Sequence, residues 1–322
     1  MNSGWSKTLK HSPNTLLSLL RLALPRKTNF QPSTGLAQNC LQLNQVRIHP
    51  KQLDQYCTVC ELEKQHHIPA LYPQVLVSPL QLALLSDRRF PLSMLGAVHK
   101  RNHITQTRPI DLNEILDLSV NVGEFRCLEK GIEIDLRNQV RIKDELVWES
   151  ISSYFVPRSH RETPYQHSQS HQTDQQSDQE SPENTGKMSV LPKNPKNLSI
   201  SWLLATNKGL KYAAISGDYN PIHIATFSAK LFGFKRNIAH GFCLLATSLE
   251  QHPATQTKLL NQTMANDKKT LFLDVEFRGP NFLGETIAMN TEGDSNRTRM
   301  DLYCGNNPKP TVCVHMSLTS GE

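Results

Sequence analysis

The alternation of apolar and polar positions predicts one pattern of elements in the C-terminal part of the chain, residues 198–322. Helical periodicity comes first and predicts helices at Ile224–Phe232 and His240–Glu250. A strand signature follows at Leu271–Arg278, where apolar and polar residues alternate. Further strands are predicted at Thr286–Thr291, Thr298–Cys304 and Thr311–Leu318. Helices followed by an antiparallel run of strands predict an α+β unit with one helix against a sheet.

The same order occurs earlier in the chain, in residues 46–157. A helix is predicted at Val75–Ser86 and a strand at Val98–Thr107, and later strands are predicted at Ile115–Val122, Ile132–Leu136 and within Val140–Phe155. The segment from Val98 through Pro109 to Glu114 takes the place of the segment from Leu273 through Pro280 to Glu285. This internal repeat predicts a pseudo-dimer whose two sheets pair edge to edge and cover their exposed strand edges.

Two further segments complete the predicted organisation. Residues 1–45 form a basic lead-in to the first unit, and residues 158–197 form a linker between the units. From Ser159 to Lys187 the chain has no aliphatic residue, Met, Cys, Phe or Trp. Such a stretch buries too little apolar surface to offset its ordering entropy, so we expect the linker to be polar and disordered.

Charge and cysteine content exclude several classes of protein. The formal net charge is +6, but residues 1–53 hold seven Lys or Arg and no acid, so the basic excess does not belong to the folded units. A nucleic-acid partner is therefore not predicted. Seven scattered cysteines indicate a reducing compartment, and we predict a cytoplasmic protein without a membrane span. The lead-in fits either an organelle transit peptide or, as we prefer, a surface helix.

Residues 212–229 hold the candidate chemistry. Gly217 permits a sharp turn, and Asp218 and His223 stand on either side of the stiff Asn220-Pro221 pair. A carboxylate beside an imidazole can hold one water molecule and move protons near neutral pH, with Asn220 as an orienting group. The alternative is structural, because Asp218 or Asn220 could instead cap a helix that begins near Pro221.

A second candidate segment is Ile238–Phe242, which precedes the helix at Cys243–Glu250. The first N–H groups of a helix have no partner within the helix and carry the positive end of its dipole. Gly241 would let a substrate oxygen approach these groups, which makes an oxyanion site. The alternative is a glycine that only permits close helix packing.

Residues 212–229, from Tyr212 through Ser216-Gly217-Asp218-Tyr219-Asn220-Pro221-Ile222-His223 to Ala229, resemble the signature of the MaoC-like, hydratase-2 family. The resemblance implies an α+β double hot-dog fold and a hydro-lyase that reversibly hydrates trans-2-enoyl thioesters to (R)-3-hydroxyacyl thioesters. It implies catalytic roles for Asp218, His223, Asn220 and Gly241, and substrate contacts for Ser216, Tyr219, His240 and Phe242. The first unit lacks the motif, so one active site per chain is expected.

The resemblance also implies what the reaction needs and which alternatives stay open. No metal or other cofactor is expected; the substrate is an acyl-coenzyme A or acyl-carrier-protein thioester, and a homodimer of double hot-dogs is possible. A hot-dog thioesterase and a non-catalytic thioester-binding subunit are the alternatives. The first unit could open its core to a longer acyl chain. Cys57 and Cys60 are interpreted as packing residues of a helix rather than zinc ligands, and His99 and His103 as ordinary sheet side chains.

Overall fold

The computed structural model describes residues 4–24, 30, 36, 38–94, 96–157, 198–294 and 296–320, and the predicted linker lies outside them. The strands are β1 (Ser6–Leu9), β2 (Cys40–Arg47), β3 (Val98–Gln106), β4 (Ile115–Leu128), β5 (Gly131–Ile142), β6 (Glu145–Pro157), β7 (Leu198–Leu203), β8 (Lys269–Phe277), β9 (Thr286–Gly293), β10 (Arg297–Cys304) and β11 (Val312–Ser320). The helices are α1 (Thr15–Ala23), α2 (Pro50–Cys60), α3 (Tyr72–Ser86), α4 (Lys208–Ser216), α5 (Pro221–Ile224), α6 (Thr226–Leu231), α7 (Gly241–Gln251) and α8 (Thr257–Asp267). A short 3-10 helix spans Pro253–Thr255.

All described strands join one sheet in the order β1-β2-β4-β5-β6-β3-β8-β11-β10-β9-β7. The predicted alternation is visible in β10, where Thr298, Met300, Leu302 and Cys304 are buried and the residues between them are not. One face of each strand therefore packs on the core. Each unit lays a long helix, α3 or α7, against its half of the sheet, which confirms the predicted double hot-dog arrangement.

The two units meet where β3 pairs antiparallel with β8. Ile104 lies opposite Leu273, and neither side chain is exposed. Next to them His103 pairs with Asp274, and the two side chains form an ion pair on the solvent side. The predicted edge-to-edge pairing of the units is therefore confirmed, and it covers the strand edge that each unit would otherwise expose.

The internal repeat is visible in matched backbone contacts. The isolated bridges His67–Asp111 and Ile238–Phe282 occupy the same place in the two units, 171 positions apart. The hydrogen bonds that flank the two bridges repeat at the same spacing. The units differ in the length of chain just before this point. Along the sequence, α2 ends at Cys60, only a few residues before His67, whereas α4 ends at Ser216, many residues before Ile238. The first unit therefore has no counterpart of the segment that contains α5 and α6.

Two details of the sequence prediction are corrected. The helix predicted at Ile224–Phe232 is broken, because Ala225 has an extended backbone (φ −144°) between α5 and α6. The lead-in is not separate from the first unit, since β1 pairs in parallel with β2 and β2 begins at Cys40, before the predicted boundary. Residues of the lead-in thus belong to the sheet.

The two cysteines of α2 lie where the sequence interpretation expected them. Cys57 and Cys60 are buried on α2 beside Leu53 and Tyr56, which confirms the interpretation as packing residues. Cys60 Sγ lies 4.0 Å from Cys243 Sγ of α7, so α2 of the first unit packs on the long helix of the second.

Within the described ranges, no helix has the length and apolar character needed to cross a bilayer.

Candidate active site

The loop after α4 is shaped by its own polar side chains. Gly217 ends α4 in the left-handed conformation (φ 74°), and an added Cβ would lie 2.6 Å from Thr15 Cγ2 of α1. The Asp218 N–H then donates to Ser216 Oγ (3.2 Å), and the Asn220 N–H donates to Asp218 Oδ1 (3.1 Å). This Asx-type turn directs the second carboxylate oxygen, Oδ2, away from the loop.

The competing interpretation as a helix cap applies to Asn220 and not to Asp218. Asn220 Oδ1 accepts a hydrogen bond from the Ile222 N–H at the start of α5, where Pro221 is the first helical residue. Asp218 instead keeps Oδ2 free of the loop backbone, and its side chain is 45 % exposed. Its carboxylate is therefore accessible to a ligand.

An unprotonated ring nitrogen of His223 faces this carboxylate. Its Nδ1 lies 2.9 Å from the Ile238 carbonyl oxygen, and a carbonyl can only accept, so Nδ1 carries the proton. The other nitrogen, Nε2, therefore holds the lone pair and lies 4.0 Å from Asp218 Oδ2. That separation is too long for a direct hydrogen bond.

His240 is the third member of the cluster. Its Nε2 donates to the Asp218 carbonyl oxygen at 2.9 Å and lies 3.9 Å from Asp218 Oδ2. Its ring stacks on the His223 ring with centroids 3.8 Å apart. His240 thus fixes the backbone of Asp218 and the plane of His223 at the same time.

The cluster is arranged to hold one negative charge beside two neutral rings. Burial lowers the pKa of His223 against the pull of Asp218, and burial lowers the pKa of His240 to about 3, with the nearby His223 adding to the effect. Partial burial opposes ionisation of Asp218, but His240, His223 and the Asn220 N–H together bring its pKa below the ordinary value. Near neutral pH the cluster therefore contains a carboxylate and two uncharged imidazoles.

Helix α7 begins beside the cluster, at Gly241. His240 precedes the helix without capping it through its side chain, so the first amides of α7 are free to serve a ligand. A Cβ on Gly241 would overlap the ring of Phe277 from β8. Gly241 therefore satisfies both interpretations given above, since it permits close packing and also leaves its N–H open to approach.

The first unit also supplies side chains near the site, which the sequence interpretation missed. His99 of β3 stacks on Tyr154 of β6 (4.6 Å between centroids) and lies against Phe242 and Phe277 of the second unit. A β-bulge between His99 and Arg101 shifts the strand register. His99 consequently faces inward although His103 faces solvent, so the two histidines do not share a face as strict alternation implies. The sequence contains no signal for this bulge.

The remaining predicted site residues differ in their exposure and in their contacts. Ser216 is buried and uses its hydroxyl within the loop, where it donates to the Tyr212 carbonyl and accepts from Asp218. Tyr219 is 39 % exposed. Phe242 is buried against His99 and Phe277. The structure therefore brings Asp218, His223, His240 and Gly241 together, with Ser216 as a support.

Asp218, His223 and His240 are residue types that bind metals, and their candidate ligand atoms lie within 4.8 Å of one another. The geometry does not suit a shared ion. The two rings are stacked, so their lone pairs lie side by side instead of converging, and His240 Nδ1 is buried without a hydrogen-bond partner while Nε2 is occupied by the Asp218 carbonyl. Of the described residues, no other cluster of this kind was found.

Comparison with known proteins identifies the family. The family model for the MaoC-like domain matches residues 183–308. The 3-hydroxyacyl-thioester dehydratase X of Mycobacterium tuberculosis is 30 % identical over 237 residues, which cover 74 % of this chain and 78 % of that protein. The chain belongs to the MaoC-like dehydratase family. The predicted assignment to the hydro-lyases agrees with this membership.

Solved structures show that the fold of this MaoC-like chain is shared widely. The crystal structure of HtdX from M. tuberculosis has a TM-score of 0.66 at 22 % identity, covering 86 % of this chain and 98 % of that one. A MaoC-like dehydratase from Phytophthora capsici has a TM-score of 0.59 at 19 % identity, covering 89 % and 97 %. An acyl-ACP thioesterase from Bacteroides thetaiotaomicron also matches, with a TM-score of 0.52 at 13 % identity and coverage of 90 % and 100 %. At these identities the likeness concerns the fold.

Proposed function

We propose that this MaoC-like chain catalyses the reversible hydration of trans-2-enoyl thioesters to (R)-3-hydroxyacyl thioesters. The supporting observation is the pairing of the free Nε2 of His223 with Asp218 Oδ2 across 4.0 Å, beside the N-terminus of α7. Family membership and the thioester dehydratase relative support the class of substrate. The carrier, a homodimer and the absence of a cofactor stay predictions.

The gap between the two acceptors suits one water molecule. A water that donates one hydrogen bond to Nε2 and one to Oδ2, each of about 2.8 Å, spans roughly 4 Å between them. Its lone pairs then point away from both acceptors, towards the substrate. The Ile238 carbonyl fixes the ring of His223, so the base is pre-positioned for this water.

Proton transfer then follows from the ionisation states. In the hydration direction the water oxygen bonds to C3 while its proton passes to His223 Nε2, which becomes an imidazolium beside the Asp218 carboxylate. The electron pair of the C2–C3 double bond moves to the thioester carbonyl and forms an enolate. His223 then gives its proton to C2 and the enolate collapses, so water is added across the double bond and the enzyme is regenerated.

The enolate oxygen needs a donor where its charge develops. The Gly241 N–H, at the start of α7, combines an unpaired amide with the positive end of the helix dipole. Asn220 has a supporting role, because its side chain caps α5 while its N–H holds Asp218 Oδ1. The reaction therefore assigns proton transfer to His223, water binding and stabilisation of the imidazolium to Asp218, and stabilisation of the enolate charge to Gly241.

The experiment follows loss of enoyl-thioester absorbance on addition of purified protein. We expect hydration by the wild type and a fall in kcat/KM of about 10²–10⁴-fold for Asp218→Asn, which keeps the shape of the side chain but removes its charge. Asp54→Asn, the same change at an exposed position of α2, is the matched control and should retain activity. Release of free thiol in place of hydration would indicate a thioesterase, and a wild type as inert as Asp218→Asn would refute catalysis.

A further inference from the structure

The interior of the first unit is polar where a hydrophobic core is expected. Between α3 and the sheet, a group of buried side chains hydrogen-bond to one another; this polar network consists of Gln74, Gln81, Asn102, Asn138, Ser150 and Ser152. Gln81 Nε2 donates to Asn138 Oδ1 (2.9 Å) and to Ser152 Oγ (3.2 Å). Gln74 donates to Gln81 Oε1 (3.2 Å) and accepts from Ser150 (3.2 Å). The network is continuous from α3 to three strands.

The second unit does not have this network at its matching positions. In the first unit Asn102 of β3 lies opposite Ser152 of β6. The repeat spacing of 171 positions matches Asn102 with Leu273, and Leu273 of β8 lies opposite Met316 of β11. Both of these apolar side chains are buried. The polar interior is therefore particular to the first unit and not required by the fold.

The network reaches the active site through aromatic rings. The Tyr154 hydroxyl donates to Gln81 Oε1 at 3.3 Å, and the Tyr154 ring stacks on His99. His99 in turn lies against Phe242, which follows Gly241, and against Phe277. Burial raises the pKa of Tyr154, and the Asp218 charge adds to this effect; burial lowers the pKa of His99, and the Asp218 charge opposes this effect. These four rings, the aromatic wall, connect Gly241 to the polar network through a continuous series of contacts.

An alkyl chain that passed this wall would meet buried polar groups that already have partners. Burying apolar surface is favourable, but displacing a buried polar group from its partner is not. Gln81 alone has several partners there, and a tail that displaced its side chain would leave them without these hydrogen bonds. The network therefore opposes the entry of a long tail.

We propose that the acyl subsite ends at the aromatic wall, so that this chain takes short enoyl thioesters and rejects long unbranched ones. This inference rests on the proposed function and replaces the expectation that the first unit opens its core to a longer chain. Tyr154 and Gln81 are the residues that set the limit. Neither is needed for proton transfer at Asp218 and His223.

The test compares kcat/KM for four-carbon and ten-carbon enoyl-coenzyme A. We expect the wild type to favour the four-carbon substrate by at least about tenfold, the equivalent of roughly 1.4 kcal/mol. Tyr154→Ala removes the ring and should reduce this preference about tenfold, whereas Tyr154→Phe keeps the ring and should preserve it within about twofold. Tyr303→Ala, a matched substitution on β10 of the second unit, should leave the preference unchanged.

The measured quantity is the ratio of the two kcat/KM values for the same variant. Partial unfolding lowers both values equally and therefore leaves the ratio unchanged. Gln81→Met is a second variant that removes the hydrogen bonds behind the wall and should shift the ratio in the same direction as Tyr154→Ala. A wild type that hydrates both lengths equally, or a ratio unmoved in both variants, would overturn the proposal. If neither length is hydrated, the proposed function fails instead, and the limit is then measured from calorimetric binding of butanoyl- and decanoyl-coenzyme A.

Discussion

At the scale of single residues, the active-site histidines are defined by the acceptors around them. A backbone carbonyl accepts from one nitrogen of His223 and another from one nitrogen of His240, so the tautomer of each ring is fixed. The sequence could predict that Asp218 and His223 come together, because Gly217 and Pro221 limit the loop between them. It could not predict the central place of His240 or the inward turn of His99, which depend on contacts between distant segments.

The ionisation of His223 leads to a prediction about pH. Burial places its pKa below 6.5, and only the neutral ring can accept a proton from water. We expect kcat/KM for hydration to be level near neutral pH and to fall about tenfold per pH unit once the pH drops below the lowered pKa. The measurement is a pH–rate profile with a four-carbon enoyl thioester. An acidic limb centred above pH 6.5 would contradict the assignment, and His223→Gln should abolish the limb along with most of the activity.

At the scale of elements, the long regular segments were predictable and the irregular ones were not. Helices α3 and α7 and strands β8 and β10 follow clear apolar periodicity, and each lies within a few residues of its predicted bounds. The break at Ala225 was missed because extended backbone at one residue leaves no mark in an apolar pattern. The closeness of α7 to β8, which leaves no room for a Cβ on Gly241, likewise follows from packing alone.

This close packing predicts that one glycine-to-alanine substitution in a helix lowers the stability of the protein, the opposite of the usual effect. Alanine favours a helix over glycine by up to about 1 kcal/mol, yet Gly241→Ala should destabilise the protein by about 1–3 kcal/mol because the methyl group meets the Phe277 ring. It should also lower kcat, since the N–H that faces the enolate oxygen moves. Denaturant unfolding and steady-state kinetics measure both effects. Gly241→Ala combined with Phe277→Leu should recover most of the stability, and no recovery would show that the clash lies elsewhere.

At the scale of the whole molecule, two similar units share one sheet but have different interiors. The repeat could be predicted from the order of elements, and so could the pairing of β3 with β8. The polar interior of the first unit could not, since glutamine and asparagine scattered over helix and strands indicate exposed positions until the fold brings them together. Uncharged histidines lie near the site in both units: His99 in the first, and His223 and His240 in the second. Two of them, His99 and His240, have strongly lowered pKa values.

These two histidines predict how stability changes with acid. Burial lowers the pKa of His99 to about 4 and that of His240 to about 3, against 6.5 for an unperturbed imidazole. Between these values the unfolded chain binds more protons than the folded one, so the free energy of unfolding is fully retained above pH 6.5 and falls as the pH drops towards 4. Urea unfolding at several pH values measures the slope. His99→Phe should reduce the slope and the surface substitution His11→Asn should not; equal slopes in both would refute the assignment.

The union of β3 with β8 has a consequence for a chain cut in two. A break anywhere between Pro157 and Leu198 would leave each fragment with a row of open backbone donors and acceptors that only a complementary edge can satisfy. Mixed fragments should therefore reassemble without a covalent connection. The C-terminal fragment by itself should join to a second copy of itself through the same strand, and that particle would hold two catalytic loops where the intact protein has one.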